Sequence, residues 1–126
     1  MRLNHDCIRE LMLYIEDNIK YSSDTIAFTP MCNNFSNYTE NELVYHINML
    51  YQAGFIQKPT SAGRTIALVP SLTWTGHEYL DNIRDKTAWQ MVKDGAFDLS
   101  SMSLSLVGQL SKELLFSYAK KKCGLD

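Results

Sequence analysis

The sequence predicts a mostly helical α+β chain built round one β-hairpin, and three observations predict it. Apolar residues recur at helical spacing near the N-terminus, in the middle and through the last third of the chain. Two Thr-x-x-Glu boxes, Thr39 to Glu42 and Thr75 to Glu78, each open such a segment. Between them the polar tip QKPTSAGRT leads into IALVPSLTW, a run rich in β-formers, as the arms of a hairpin do.

Taken in order, Ile8, Leu11, Met12, Ile15 and Ile19 share one face of a helix from Asn4 to about Ile19. Asn4 suits its cap, Asp6 its first turn, and Leu3 can staple onto Ile8. TIAF reads as a short strand, and TPMCNNFSN as irregular, with no clear helix before Thr39. From Thr39 the capping box starts a helix with Tyr38 and Leu43 at its staple positions. Leu43, Ile47, Leu50 and Tyr51 are expected inward, and Gly54 supplies a left-handed stop. Phe55 and Ile56 should leave as a strand into the hairpin, with Pro70 at a kink or the sheet edge.

Thr75 is expected to cap the next helix, with Trp74 and Tyr79 as its staple and Leu80 and Ile83 buried. Trp89 and Val92 extend the stripe after a break near Asp85, and Lys93-Asp94-Gly95 ends it. A last helix spans about Asp98 to Lys122. Met102, Leu106, Leu110 and Leu114 form its main stripe, widened by Leu104, Val107, Leu115 and Phe116. Helix, strand, hairpin is the order of a winged helix, the hairpin being the wing. The expected architecture is therefore a winged-helix, helix-turn-helix-like core over residues 1–95. Residues 96–126 add a C-terminal helix that packs on it or mediates oligomerisation.

Bulk properties narrow the function. The 126 residues suit one globular core, and a net charge of −2 creates no overall positive field to draw nucleic acid or an anionic membrane. Cys7, Cys32 and Cys123 are odd in number and far apart, which argues against a disulfide framework and a zinc knuckle. The first residues alternate charged with apolar side chains, unlike a signal peptide, and no run approaches the ~18 apolar residues of a membrane span. A cytoplasmic protein without a membrane partner is expected.

Two segments resemble a known family. YTENELVYHINMLYQAGFI carries a capped helix ending in Ala53, Gly54, Phe55 and Ile56. LTWTGHEYLDNIRDKTAW carries Leu72, Thr73, Gly76, His77, Glu78, Tyr79, Leu80, Arg84, Asp85 and Trp89. With the first helix, these are similar to a bacterial family, often carried on phages and prophages, known as a domain of unknown function. The resemblance covers about residues 1–90 and implies a winged-helix-like fold; it brings no catalytic residues. The helix from Thr39 is also similar to the third helix of winged-helix repressors, with His46-Ile47 before the Ala-Gly stop.

No catalytic motif appears. His5, His46 and His77 lie far apart without a metal-ligand spacing, and no phosphate-binding glycine loop or nucleophile elbow is present. No enzyme activity, cofactor or metal is therefore expected. If the Thr39 helix enters a major groove, Glu40, Asn41, Val44, Tyr45 and Asn48 face the base edges. Asn pairs with adenine and Glu accepts from cytosine. Phosphate contacts must come from elsewhere: Lys58 and Arg64 in the wing, with Arg2, Arg9 and Lys120 to Lys122 further off. The lysine run reads more simply as cations suited to a helix C-terminus. Two functions stay open: a DNA-binding regulator without catalysis, or a winged helix whose acidic face meets a protein. The wide apolar arc of the last helix also makes a homodimer through it an expected partner arrangement.

Overall fold

Asn4 caps the first helix as the sequence predicts: its side-chain oxygen accepts the Cys7 N–H at 3.1 Å, and α1 runs His5–Asn18. The computed structural model describes residues 1–95 and 98–124. These form two compact units, Met1–His77 and Glu78–Asp126. The sequence-based boundary between residues 95 and 96 abuts residues 96 and 97, which lie outside the described ones.

In the first unit, α1 is followed by β1 (Ile26–Ala27), α2 (Phe28–Met31) and a 3-10 turn (Cys32–Asn34). The segment expected to be irregular thus contains the missing second helix. It is a single turn, too short to show a helical period, yet it buries Phe28 and Met31 on one side. Pro30 is tolerated there because a first turn has no intrahelical use for its N–H groups. Next comes α3 (Glu40–Gln52), opened by the expected capping box. The Thr39 hydroxyl accepts from Glu42 N–H at 3.1 Å, and the Glu42 carboxylate accepts from Thr39 N–H at 3.0 Å. Gly54 stops α3 at φ +80°, with Phe55 N–H donating back to Leu50 O and Gly54 N–H to Tyr51 O.

The wing is β2 (Thr60–Ala62) and β3 (Thr65–Val69), turned at Gly63 (φ +64°) and Arg64. β3 is central, paired antiparallel with β1 and β2 in the order β1-β3-β2. Phe55 and Ile56 do not form the expected strand. Ile56 makes one isolated bridge to Leu72, and pairing resumes only past Pro59, which has no N–H to give. Ile8, Leu11, Met12, Ile15, Phe28, Met31, Leu43, Ile47, Leu50, Ile66 and Val69 form the core of this unit. Burying each large aliphatic side chain is worth about 1.5–3 kcal/mol. Tyr51, expected inward, is 43% exposed, because the buried face of α3 is made by Leu43, His46, Ile47 and Leu50 and Tyr51 lies off it.

Helix α4 (Trp74–Ile83) starts earlier than expected. Thr73, not Thr75, is its cap: the Thr73 hydroxyl accepts Gly76 N–H at 3.0 Å and donates to Gly54 O. Trp74 is 80% exposed and staples nothing. Gly76 explains the shift. A Cβ there would collide with the Phe55 carbonyl, so the first turn sits where a glycine lets two backbones meet.

In the second unit the helix breaks where expected. Asp85 caps α5 (Lys86–Asp94), accepting Ala88 N–H at 2.7 Å. Leu80, Ile83, Trp89 and Val92 are buried. The last helix is shorter than expected: a 3-10 turn (Leu99–Ser101) precedes α6 (Leu104–Lys122), whose cap is Ser103. Its buried face is Val107, Gly108 and Ser111, rotated from the expected stripe, while Leu106 is 49% and Phe116 66% exposed. Glycine and serine let α6 approach its neighbours closely, which leucines at the same points would prevent.

Candidate nucleic-acid interface

Capping and burial together decide which side of α3 faces outward. Leu43, His46, Ile47 and Leu50 are buried, so Asn41 and Asn48 lie exposed on the other side with Val44 and Tyr45 half-buried between them. The amide and aromatic groups named from sequence therefore share one outward stripe.

The two carboxylates at the start of α3 are engaged within the protein. Glu42 is held by its cap, and the Thr39 backbone N–H keeps its carboxyl below the ordinary range. Glu40 accepts the hydroxyl of Thr65 at 3.0 Å, tying the first turn of α3 to β3. Lys58, before β2, and Arg64, at the wing tip, are exposed. Sequence reasoning missed Thr65 as a partner of Glu40. Nothing local signals a side-chain contact across 25 residues.

His46 is structural. Its Nε2 accepts the Asn4 backbone N–H at 2.9 Å, so Nδ1 carries the proton and faces the Glu42 carbonyl at 2.7 Å. Tyr45 packs edge-on against its ring, 5.1 Å between centroids. His77 is half exposed, with Nδ1 3.8 Å from a Glu16 carboxylate oxygen. Among the described residues, no three His, Cys, Asp or Glu side chains converge as metal donors. All three cysteines are free thiols. Arg2 is exposed and Arg9 half-buried. Lys120 and Lys122 stack over the rings of Phe116 and Tyr118, each 5.7 Å from the centroid, in the last turn of α6. Among the described residues, no helix is long and apolar enough to cross a membrane.

A short antiparallel sheet flanked by helices, with the hairpin following the third helix, defines a winged-helix-like protein of the mostly helical α+β class. Residues 2–103 match the model of the family described as "Hypothetical protein (DUF2513)", and the chain belongs to that family. The chain is also similar to an "Uncharacterized protein" of Haemophilus influenzae (strain Rd). Identity is 29% over 115 residues, spanning 86% of this chain and 93% of that protein. No solved structure matches the chain significantly.

Proposed function

We propose that this protein is a small, non-catalytic winged-helix regulator of bacterial or phage origin that binds DNA in the cytoplasm. Helix α3 enters the major groove, Asn41 and Asn48 read base edges, and Val44 and Tyr45 fill the space between them. Lys58 and Arg64 of the wing meet the flanking phosphates. One observation carries the reading: an outward amide stripe on α3 whose neighbouring carboxylates are both occupied, beside a hairpin with an exposed Arg64 at its tip and an exposed Lys58 just before its first strand. A dimer would double the few phosphate contacts that each copy offers.

Fluorescence anisotropy with labelled mixed-sequence duplex tests it. Binding at micromolar protein that weakens as salt rises is expected; no binding at about 50 mM salt overturns it. Arg64→Ala should weaken binding to all duplexes alike and lower the salt slope by about one.

A second reading has its own support. Residues 1–77 hold seven Asp and Glu against five Lys and Arg, so the winged-helix unit repels phosphate at long range. In that reading the α3 face meets a basic protein, and Glu40→Lys abolishes the interaction while DNA binding stays absent throughout.

A further inference from the structure

Glu10, Leu13, Tyr14 and Asp17 recur on α1 at the spacing that puts side chains on one face, clear of the buried Leu11, Met12 and Ile15. The loop 34–38 lies against this stripe, and between them is a pocket of about 380 Å³. Both walls belong to the first unit. Tyr14 stands midway between the two carboxylates, and its ring is fixed from two sides. Phe35 packs against it edge-on, 5.3 Å between centroids, and Asn34 Nδ2 donates to its hydroxyl at 3.2 Å. Tyr38 ties the loop to the helix by donating to a Glu10 carboxylate oxygen at 2.8 Å. We infer that this pocket binds a small organic dication, an unbranched alkyl diamine, with one ammonium on Glu10, the other on Asp17 and the carbon chain against the Tyr14 ring.

The lining excludes the other ligand classes. No lysine, arginine or histidine contributes to it, although Arg9 and Lys20 adjoin its two carboxylates in sequence. An anion would therefore meet two negative groups with nothing to balance them. An uncharged apolar ligand would cover those carboxylates without pairing them, at a desolvation cost. A single metal ion fails on distance. Seven residues of helix set Glu10 and Asp17 about 10 Å apart along the axis, too far to share one ion. Among the described residues, no three metal donors converge there or elsewhere. The same separation suits two cations joined by a chain. Allowing a charge-assisted hydrogen bond of about 2.8 Å at each end leaves a gap of about 5–7 Å, the reach of a four-carbon chain. A ring between the ends then attracts the methylenes beside each ammonium, which carry part of its positive charge. Burial first, then the bond to Glu10 and the Glu10 charge, hold the Tyr38 phenol above its ordinary range, as a negative field at that end requires.

The site stands apart from the DNA-binding reading, and its test needs no DNA. The full chain is titrated with 1,4-diaminobutane at low salt while its amide resonances are followed. Shifts that saturate at residues 10–17 and 34–38, half-complete at about 1 mM or below, are expected. Butylamine has the same chain and one charge, and should bind about threefold to tenfold more weakly. 1,4-Butanediol, with no charge, should not bind. Asp17→Asn should weaken the diamine about threefold to tenfold without moving the unfolding midpoint, since that side chain is exposed. Glu10→Gln keeps an oxygen for the Tyr38 hydroxyl and should weaken it by a similar factor. Asp24→Asn removes the same charge elsewhere in the unit, and should leave binding within about twofold of wild type. No saturation by about 20 mM overturns the proposal. So does butylamine binding as tightly as the diamine, or Asp24→Asn costing as much as Asp17→Asn, either of which would reduce the effect to bulk charge. A lysine-rich peptide that shifts these residues where the diamine does not would overturn it too, in favour of a protein contact. Failure of DNA binding leaves this pocket standing, and failure of the diamine leaves the α3 face untouched.

Discussion

The backbone N–H of Asn4 donates to Nε2 of His46 at 2.9 Å, joining the cap of the first helix to the middle of the third. The bond makes a buried imidazole part of the scaffold and fixes which of its nitrogens carries the proton. His46→Leu keeps the volume roughly but gives the Asn4 N–H no acceptor. A loss of about 1–3 kcal/mol in denaturant unfolding is expected, with an unchanged m-value. Amide exchange should quicken at the start of α1. Unaltered stability would show that water replaces the imidazole without cost.

Cys7 should behave as an inert thiol. Burial, then the carboxylates of Glu10 and Glu42, pushes it from the ordinary 9.0 up to about 12. Cys32 is raised too, by its burial and then by Glu40, while Cys123 is exposed. A chromogenic disulfide reagent at neutral pH should find one fast thiol, one slower, and a third only after unfolding. Because the folded value of Cys7 is the higher one, its contribution to stability is complete below pH 9 and is lost as pH climbs toward 12. Tyr38 and Tyr79 act in the same direction above their ordinary 10.0, Tyr38 through burial and its bond to Glu10, Tyr79 through burial. Phenolate absorbance should therefore rise in two stages, the second coinciding with alkaline unfolding.

Two glycines should fail on substitution for different reasons. Gly76→Ala pushes a methyl group into the Phe55 backbone, 2.9 Å from its carbonyl carbon, and neither backbone is free to yield. A loss at or above about 1–3 kcal/mol is expected, as in overpacked cores. Gly63→Ala meets nothing within 4 Å but must hold φ +64°, so about 1 kcal/mol is expected, from conformation alone. Thermal unfolding of the two variants side by side checks the order. A Gly63 variant less stable than the Gly76 variant would contradict it.

The bond between Glu40 and Thr65 should set the mobility of the wing. Glu40→Ala and Thr65→Val each remove it and should speed amide exchange across Thr60–Val69, with only about 0.5–1.5 kcal/mol lost because the pair is exposed. Glu40→Gln keeps an acceptor oxygen and removes a charge. It should leave wing exchange near wild type and strengthen DNA binding by a few-fold at low salt, as expected when one negative charge leaves the interface. Wing exchange indifferent to all three changes would mean that the hairpin is held by its strands alone.

Much of the frame was legible because its signals are local. A threonine three residues before a glutamate, a glycine after an apolar stripe, and an aspartate at a break each act within one helical turn. Hence α1, the cap and stop of α3, the Gly63 tip and the Asp85 break stand where the sequence put them. The same locality misled at α4, where Thr75 and Glu78 have the spacing of a box. The tight approach of Gly76 to Phe55 moves the cap to Thr73, and no pattern in the helix reports that approach. The one-turn α2 escaped because four residues cannot display a period of 3.6.

By itself, then, the sequence determined where most helices begin and end and which side of α3 is buried, since caps and periodicity depend on residues a few positions apart. Only the tertiary structure decided which partners meet across 42 and 25 residues, Asn4 with His46 and Glu40 with Thr65. It also chose the buried face of α6. Apolar side chains occur on nearly every side of that helix, so hydrophobicity could not select one; close approach at Gly108 and Ser111 did.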